Sequence, residues 1–353
     1  MTNAAFLEVI AARDDERLEL FLASARRLGT AVQNVEKDFW VCWVLDVLFN
    51  GFGQGHPRLL FKGGTSLSKS FGLIDRFSED IDITVFRDDL GEPVSISDLE
   101  GLSGKQRRVR LDAIRAACQG FIAGPFLTTF DDVLTSTMRA ARIASSRYRA
   151  ELDPADPDRQ TVLFWYPVVT AGADPYIRSA VKIETGAKSA LDPHVVTTVR
   201  PYAADDVAAL DLAVTGIVAV EPQRTFWDKV VILHGLRSWH ERRGQLRHGG
   251  QRVSRHYFDV FRMLESTLGE RAVADRMLGI DCARHARMFF NTSDFDLDQA
   301  VAGTFSLLPP PDMQLLLERD YDAMAMMIMG GAPPFVDVMN AIEKLERQLQ
   351  ARA

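Results

Sequence analysis

The stretch from Leu59 to Val85, LLFKGGTSLSKSFGLIDRFSEDIDITV, limits the fold of this chain more than any other part of its sequence. The apolar run over 58–62 predicts a short strand that stops at two glycines and turns into a predicted helix over 65–71. The alternating run IDITVF over 81–86 predicts a second strand. A strand, a tight turn, a helix and another strand in such close succession favour a mixed α/β fold with a central sheet.

The glycine turn in this stretch predicts a phosphate-binding loop. Glycines let a ligand approach the backbone, and the N–H groups at the start of the following helix favour an anion. Hydroxyl side chains add hydrogen-bond donors, and two lysines, Lys62 and Lys69, flank the turn. The predicted nucleotide-binding residues are Gly63, Gly64, Thr65, Ser66 and Lys69. A tight strand-to-helix turn capped by hydroxyl residues is the purely structural alternative.

The second strand carries two carboxylates, Asp80 and Asp82. Residues two apart on a strand point to the same side, so Ile81 and Ile83 point to the opposite side, into the core. Two carboxylates on one side repel each other unless a cation lies between them, and Mg²⁺ is commonly held by one or two carboxylates plus substrate phosphates. The pair therefore predicts a metal site, with an acidic, solvent-facing strand edge as the alternative.

The rest of the sequence predicts two parts with different secondary structure. Before residue 220, helical periodicity and strand-like runs alternate. The predicted helices there are 4–27, 30–49, 97–121 and 128–149, and the predicted strands are 161–168, 177–185 and 213–220. After Glu221-Pro222 the pattern is helical almost throughout. The predicted helices are 222–239, 253–267, 270–290, 311–329 and 334–351. We therefore predict a mixed α/β core over 1–220 and a helical domain over 221–353.

The motif GGTSLSK followed by RFSEDIDI resembles the AbiEii/AbiGii-type nucleotidyltransferase toxins, which include the MenT-like toxins of the DNA polymerase β-like nucleotidyltransferase superfamily. The match spans roughly 58–264. It implies an α/β (α+β) fold, with a polymerase β-like core and mixed sheet followed by a C-terminal helical region. It also implies that the turn Gly63–Ser66 holds the triphosphate of an NTP and that Asp80 and Asp82 hold two Mg²⁺ ions.

The resemblance extends to residues further along the chain. It makes Lys229, in RTFWDK, and Asp259, in SRHYFD, catalytic residues contributed by the helical domain. Glu184 is the candidate for a third metal carboxylate. The alternatives are a lysine that snorkels beside an apolar helix stripe, an Asp259 paired with Arg255 four residues earlier, and a Glu184 paired with Lys182 on a strand edge.

A glycine- and arginine-rich loop over 240–252 joins the predicted helices of Lys229 and Asp259. Six arginines lie between residues 237 and 255 against one acidic residue, although the whole chain has a formal net charge of −7. Arginines at the mouth of a site grip a polyanion without reading its sequence. The predicted RNA-binding residues are Arg242, Arg243, Arg247, Arg252 and Arg255. A solvated helix or loop surface is the alternative.

Apolar patterning and cysteine usage indicate the cellular compartment in which the protein is expected. No apolar run approaches the length of a membrane span, and the first residues show no signal peptide. The three cysteines lie far apart without a CxxC motif, which predicts neither a disulfide framework nor a cysteine-based zinc site. We expect a cytoplasmic protein that has no membrane partner.

Together with the resemblance, these patterns predict a Mg²⁺-dependent nucleotidyltransferase toxin of a toxin–antitoxin system. The expected reaction transfers NMP from an NTP to the 3′ end of an RNA, with tRNA the leading candidate, and thereby blocks translation. A cognate antitoxin would be encoded nearby. The alternatives are the same fold acting on a protein or a small molecule, and a non-catalytic nucleotide-binding module.

Overall fold

The structure is a computed structural model that describes residues 2–170, 179–250 and 252–351. Within these residues seven strands form one sheet. They are β1 (Leu59–Lys62), β2 (Asp80–Val85), β3 (Arg149–Leu152), β4 (Thr161–Trp165), β5 (Ala180–Gly186), β6 (His194–Val199) and β7 (Val214–Val220). The strand order is β3-β4-β5-β2-β1-β7-β6. β2 pairs with β5 and β1 with β7 in parallel, whereas β1–β2, β3–β4 and β4–β5 are antiparallel, so the sheet is mixed.

Helices make up most of the remaining described structure. Before β7 they are α1 (Ala4–Ala11), α2 (Asp14–Leu28), α3 (Val32–Asp46), α4 (Gly63–Lys69), α5 (Ile96–Glu100), α6 (Gly104–Phe121) and α7 (Leu127–Ala140). After β7 they are α8 (Pro222–Arg243), α9 (Ser254–Leu264), α10 (Thr267–Ala274), α11 (Arg276–Phe289), α12 (Leu297–Val301), α13 (Pro311–Met324) and α14 (Phe335–Gln350). The predicted fold class, a mixed α/β part followed by a helical region, is confirmed.

The chain divides into two compact units. Unit 1 consists of Met1–Ser70, Phe77–Val94 and Lys105–Ala219, and it contains the sheet except for Val220, the last residue of β7. Unit 2 consists of Phe71–Arg76, Ser95–Gly104 and Val220–Ala353. Two short segments from the first third of the sequence therefore belong to the helical unit, which no local sequence pattern indicates.

The core of unit 1 forms where α3 packs against the sheet. Trp40 and Trp43 lie one turn apart on α3, and their rings pack against Phe164 of β4 at centroid distances of 5.7 and 5.2 Å. On β2, Ile81 and Ile83 are fully buried, as the strand alternation predicts. The opposite side of β2, with its aspartates, is left for polar chemistry.

The core of unit 2 is organised around α8, which begins with Pro222 in its first turn and ends at Gly244 in the left-handed conformation (φ +64°). Trp227 of α8 is fully buried. A Cβ added at Gly279 of α11 would lie 2.6 Å from the Trp227 ring, so the glycine permits close packing of these two helices.

Several element boundaries differ from the sequence predictions, and local capping explains two of them. The helix predicted over 4–27 is divided, because Glu16 accepts a hydrogen bond from the Arg13 N–H (3.0 Å) and starts a new helix there. Asp275 likewise caps α11 through the Leu278 N–H (3.1 Å) and divides the predicted helix 270–290.

Other differences concern weak patterns and the ends of elements. The helix predicted over 97–121 is divided into α5 and α6, and the one predicted over 128–149 ends at Ala140. The strands β3 and β6 were not predicted, because they are short edge strands without clear alternation. The first two residues of the strand predicted over 177–185 lie outside the described residues.

Two compositional expectations can be set beside the described residues. None of the helices there combines the length and the apolar character that a membrane span requires. Cys42, Cys118 and Cys282 are buried free thiols.

Candidate active site

The two predicted metal ligands lie on the same face of the sheet. β2 runs between β1 and β5, and the register places both Lys62 and Glu184 directly beside Asp82. Lys182 stands beside Asp80 in the same way. Because directly paired residues share a face, these five half-buried side chains form one charged patch, which we call the ionic face.

The predicted phosphate turn touches the ionic face at Gly63. This residue begins α4 with φ +79°, in the left-handed region that favours glycine. A Cβ added there would lie 2.0 Å from the Asp82 Oδ2 atom, a distance that no side chain tolerates. The backbone of the turn is therefore in direct contact with the Asp82 carboxylate, and the fold joins two motifs that lie apart in sequence.

The hydroxyl residues at the turn are buried inside the protein. Thr65 is fully buried; its hydroxyl donates to the Asp80 carbonyl and lies 2.8 Å from the Ser78 hydroxyl. Ser66 is buried as well. Thr65 therefore fastens α4 to the first residue of β2, and the half-buried backbone of Gly63 and Gly64 is the part of the turn that a ligand can reach.

Lys69, which is predicted to bind the nucleotide, lies inside the protein. Its side chain is 5% exposed, with Nζ 2.7 Å from the Asp38 carboxylate of α3 and 3.7 Å from the centroid of the Tyr202 ring. A buried ammonium group committed to a buried carboxylate fixes α4 to α3 and does not face a ligand. Lys62, by contrast, is 30% exposed on the ionic face, and its Nζ lies 3.8 Å from the Asp82 carboxylate.

Asp80 lies in an environment that disfavours its charge. Burial raises its pKa, the negative charges of Glu79 and Glu184 raise it further, and the result is a pKa of about 6. Lys37 and Lys182 oppose this shift without cancelling it. The Lys37 ammonium group is itself paired with Glu79, with Nζ 2.6 Å from Oε2. A cation bound at Asp80 would relieve this excess of negative charge.

The donor set of the ionic face fits a hard divalent ion held by few protein ligands. Within the described residues, no three Asp, Glu, His or Cys side chains are arranged to hold a metal ion. Asp80 and Asp82 provide two carboxylates, and Mg²⁺ commonly takes one or two of these and completes its shell with water and phosphate oxygens. Glu184, the predicted third ligand, accepts a hydrogen bond from Lys182 on the same strand and stays a prediction as a metal ligand.

The other two predicted catalytic residues meet inside unit 2. The Lys229 Nζ atom on α8 lies 2.8 Å from Oδ2 of Asp259 on α9. Arg76 donates from Nε and Nη2 to the two carboxylate oxygens of Asp259, at 2.7 and 2.8 Å. All three side chains are buried, and Asp259 is completely inaccessible. We call these three residues the Asp259 cluster.

The electrostatics of the Asp259 cluster differ from those of Asp80. Burial alone would raise the pKa of Asp259, but the positive charges of Arg76 and Lys229 outweigh burial and hold it well below its usual range. Burial lowers the pKa of Lys229, and the Asp259 carboxylate opposes that shift. The alternatives considered from sequence are wrong here: Lys229 does not snorkel to solvent, and Asp259 pairs with Arg76 and Lys229 rather than with Arg255.

The predicted RNA-binding arginines differ in how far the protein already neutralises them. Arg243, at the end of α8, donates twice to Asp294 at 2.9 and 2.7 Å, and Arg242 donates to the Ser293 carbonyl. Arg252 is exposed, and its backbone N–H donates to a carboxylate oxygen of Asp320 at 2.6 Å. Arg255 is half-buried. Arg247 is half-buried as well, with its guanidinium group over aromatic rings.

Sequence reasoning missed two residues that shape these clusters, Arg76 and Glu79. Both lie in the quoted motif RFSEDIDI, so the motif itself was the available signal. Their partners lie far away in sequence: Arg76 binds Asp259, 183 residues later, and Glu79 binds Lys37, 42 residues earlier. Local periodicity carries no information about such pairs.

Comparison with known proteins gives a family whose model matches most of this chain. The family model described as nucleotidyl transferase AbiEii toxin of a type IV toxin–antitoxin system matches residues 46–349. A search of the curated proteins gives no match. Among solved structures, the nucleotidyltransferase toxin MenT4 from Mycobacterium tuberculosis is similar to this chain with 16% sequence identity and a TM-score of 0.46, over 94% of this chain and 98% of MenT4.

Proposed function

The chain belongs to the AbiEii nucleotidyl transferase toxin family of type IV toxin–antitoxin systems, and from this premise we propose that it transfers NMP from an NTP to the 3′ hydroxyl of an RNA. It is thus a nucleotidyltransferase toxin, whose nucleotide substrate and cognate antitoxin follow from the family. The acceptor class, the metal and the residues that act are the proposal.

The observation that carries the proposal is the contact between Gly63 and Asp82. A triphosphate on the backbone of Gly63 and Gly64 would lie next to the carboxylates of Asp80 and Asp82. Nucleotidyl transfer requires this proximity, because the α-phosphate must be held where its developing charge is stabilised. A glycine turn that served only to reverse the chain would not need to exclude a Cβ against a carboxylate.

The residues of the ionic face then have distinct roles. Asp80 and Asp82 would hold Mg²⁺, which when bound neutralises the triphosphate and lowers the pKa of the attacking hydroxyl. Lys62, rather than Lys69, would supply a positive charge to the phosphates, because it is the half-exposed lysine beside the turn. Glu184 and Lys182 form a neighbouring ion pair that limits how much negative charge the face presents.

The proposed acceptor is RNA, with tRNA the first candidate, and the proposed consequence is blocked translation. An acceptor end that has received an extra nucleotide cannot be charged or used correctly. The half-exposed arginines at the end of α8 support a polyanionic acceptor, since Arg242 and Arg243 are 45% and 54% exposed despite their contacts. Lys229 and Asp259 stay predictions as catalytic residues, and their burial in one cluster gives them a structural role in unit 2 as well.

A transfer assay tests the proposal. Purified protein would be incubated with Mg²⁺, each α-³²P-labelled NTP in turn and total tRNA, with Asp80→Asn as the matched inactive variant. We expect label on tRNA from the wild-type protein and none from the variant. Label on a protein or a small molecule, with none on tRNA, would show that the acceptor is not RNA. NTP binding with no transfer to any acceptor would favour a non-catalytic nucleotide-binding module.

A further inference from the structure

The end of α8 and the turn that follows it carry an arginine that the protein holds in place without neutralising it. In the described part of the chain, Arg247 has no carboxylate partner, whereas Arg242 and Arg243 contact Asp296 and Asp294 at 4.0 and 2.7 Å. Arg247 begins a single 3₁₀ turn, Arg247–Gly250, after the left-handed end of α8 at Gly244. The charge of Arg247 is therefore the one that an external anion could meet first in this turn.

Two aromatic rings support the Arg247 side chain. Its guanidinium carbon lies 4.7 Å from the centroid of Phe295 and 5.8 Å from that of Trp239. The two rings are half-buried and their centroids are 6.2 Å apart. We call Trp239 and Phe295 the aromatic shelf. Stacking on rings fixes a long side chain before any ligand arrives, which lowers the entropy lost on binding.

The aromatic shelf is itself held rigidly by unit 2. Phe295 packs on α8 where Gly235 leaves room, and a Cβ added at Gly235 would lie 3.2 Å from the ring. The neighbouring Asp294 receives two hydrogen bonds from Arg243, which fastens the Ser293–Phe295 turn to the end of α8. Arg243 thus holds the shelf through Asp294, and its guanidinium carbon also lies 5.5 Å from the centroid of the Trp239 ring. Arg247 contacts both rings and has no carboxylate partner among the described residues.

We propose that Arg247, held on the aromatic shelf, is the phosphate-binding anchor for the single-stranded end of the acceptor RNA. This inference rests on the proposed function, in which RNA is the acceptor. A planar guanidinium group recognises phosphate through paired N–H donors, and nucleic-acid bases stack on guanidinium planes and aromatic rings. An uncompensated arginine on aromatic rings offers both kinds of contact, whereas Arg242 and Arg243 are already committed within the protein.

The test measures binding of a fluorescein-labelled RNA hairpin with a single-stranded 3′ tail, by fluorescence anisotropy over a series of salt concentrations. We expect Arg247→Ala to weaken binding about tenfold and to reduce the slope of log affinity against log salt by about one. Arg247→Lys keeps the charge and loses the stacking, so it should keep the wild-type slope and bind about threefold more weakly. Arg347→Ala is the matched control from unit 2, because Arg347 is 74% exposed on α14 and paired with Glu343, and it should change affinity by less than about twofold.

The outcomes separate this inference from the function on which it rests. If the wild-type protein does not bind the RNA, the proposed RNA acceptor is wrong and the role of Arg247 with it. If the wild-type protein binds and Arg247→Ala binds with the same affinity and salt slope, the assignment of Arg247 is wrong while the RNA acceptor stands. Equal losses in Arg247→Ala and Arg347→Ala would also overturn the assignment, because they would indicate a diffuse basic surface.

Discussion

The ionic face of unit 1 and the Asp259 cluster of unit 2 both place carboxylates beside cationic side chains, yet they are built in opposite ways. On the ionic face the carboxylates outnumber what the lysines neutralise, and Asp82 and Glu184 remain 28% and 41% exposed. In the Asp259 cluster a single inaccessible carboxylate receives two cations. The ionic face therefore has more negative than positive charge and is partly exposed to solvent. In the Asp259 cluster the carboxylate is neutralised inside the protein.

The pKa shifts of the two aspartates show the same contrast. Burial and neighbouring acids raise the pKa of Asp80 to about 6, so its ionised form is less stable than that of an ordinary aspartate. The charges of Arg76 and Lys229 overcome burial and lower the pKa of Asp259, so its ionised form is stabilised by the protein itself. The first arrangement suits the ligand binding proposed above, and the second contains internal ion pairs that hold helices together. The contrast predicts that substitutions in the two regions will have different consequences.

The largest expected effect is the loss of transfer in Asp80→Asn. Asparagine keeps the shape and removes the charge, so metal and triphosphate binding fail and transfer falls by more than about a hundredfold. The folded protein should not be destabilised, because the substitution removes a charge that its neighbours disfavour. Transfer rate and the urea unfolding midpoint would be measured on the same preparation. A variant with near wild-type transfer would remove Asp80 from the chemistry.

The second expected effect is on stability, and it concerns Asp259→Ala. Removing the carboxylate leaves Arg76 and Lys229 buried without their partner, which costs about 3–5 kcal/mol of unfolding free energy. Lys69→Ala, which leaves Asp38 buried without its ammonium partner, should behave in the same way. Urea denaturation followed by circular dichroism measures both.

Asp82→Asn is the matched control for this stability prediction. Asp82 is partly exposed and only loosely paired with Lys62, so the change in unfolding free energy should stay below about 1 kcal/mol. If Asp259→Ala were no more destabilising than Asp82→Asn, the Asp259 cluster would not be the internal tie described above.

The third prediction concerns the contact between Gly63 and the Asp82 carboxylate. Alanine at Gly63 places a Cβ 2.0 Å from Asp82 Oδ2, so the turn or the carboxylate must move and transfer should fall at least about tenfold. Gly91→Ala is the control, because Gly91 has nearly the same φ (+76°) with no atom near its Cβ position.

Both glycine variants carry the strain of an alanine in the left-handed region, about 1–2 kcal/mol. Only Gly63→Ala also disturbs the carboxylate. Equal transfer rates in the two variants would show that backbone strain, and not the contact with Asp82, explains the glycine.

The smallest expected effect distinguishes the two lysines beside the turn. Lys62→Ala should raise the KM for the NTP by about threefold to tenfold, since one half-exposed charge near the phosphates contributes about 1 kcal/mol. Lys62→Arg keeps the charge and should restore most of the affinity. Steady-state kinetics with a varied NTP concentration gives both values. An unchanged KM in Lys62→Ala would mean that Lys62 does not bind the phosphates and that the backbone and the metal hold them without it.

The sequence predicted those parts of the site that depend on neighbours along the chain. Strand alternation places Asp80 and Asp82 on one face and buries Ile81, and the glycine turn follows from the residues themselves. The burial of Lys69 also agrees with the sequence, because Lys69 lies four residues after the buried Thr65, on the same face of a short helix. Helical periodicity therefore already pointed Lys69 inward.

What the sequence did not predict depends on contacts between distant residues. Arg76 binds Asp259 across 183 residues, and the segment Phe71–Arg76 belongs to the helical unit although it lies between two elements of the sheet unit. Lys62 shares a face with Asp82 only because β1 pairs antiparallel to β2 in that register. No pattern within one element fixes a register or a long-range ion pair.

Titration of Mn²⁺ as a spectroscopic substitute for Mg²⁺ tests the central claim most directly, namely that the carboxylates of the ionic face bind a divalent ion. Free Mn²⁺ would be followed by electron paramagnetic resonance in the presence of an NTP with a non-transferable α,β bond. We expect the wild-type protein and Arg76→Lys to bind Mn²⁺ together with the nucleotide. We expect the Asp80→Asn, Asp82→Asn double variant to bind neither the ion nor the nucleotide. Undiminished Mn²⁺ binding in the folded double variant would contradict the account.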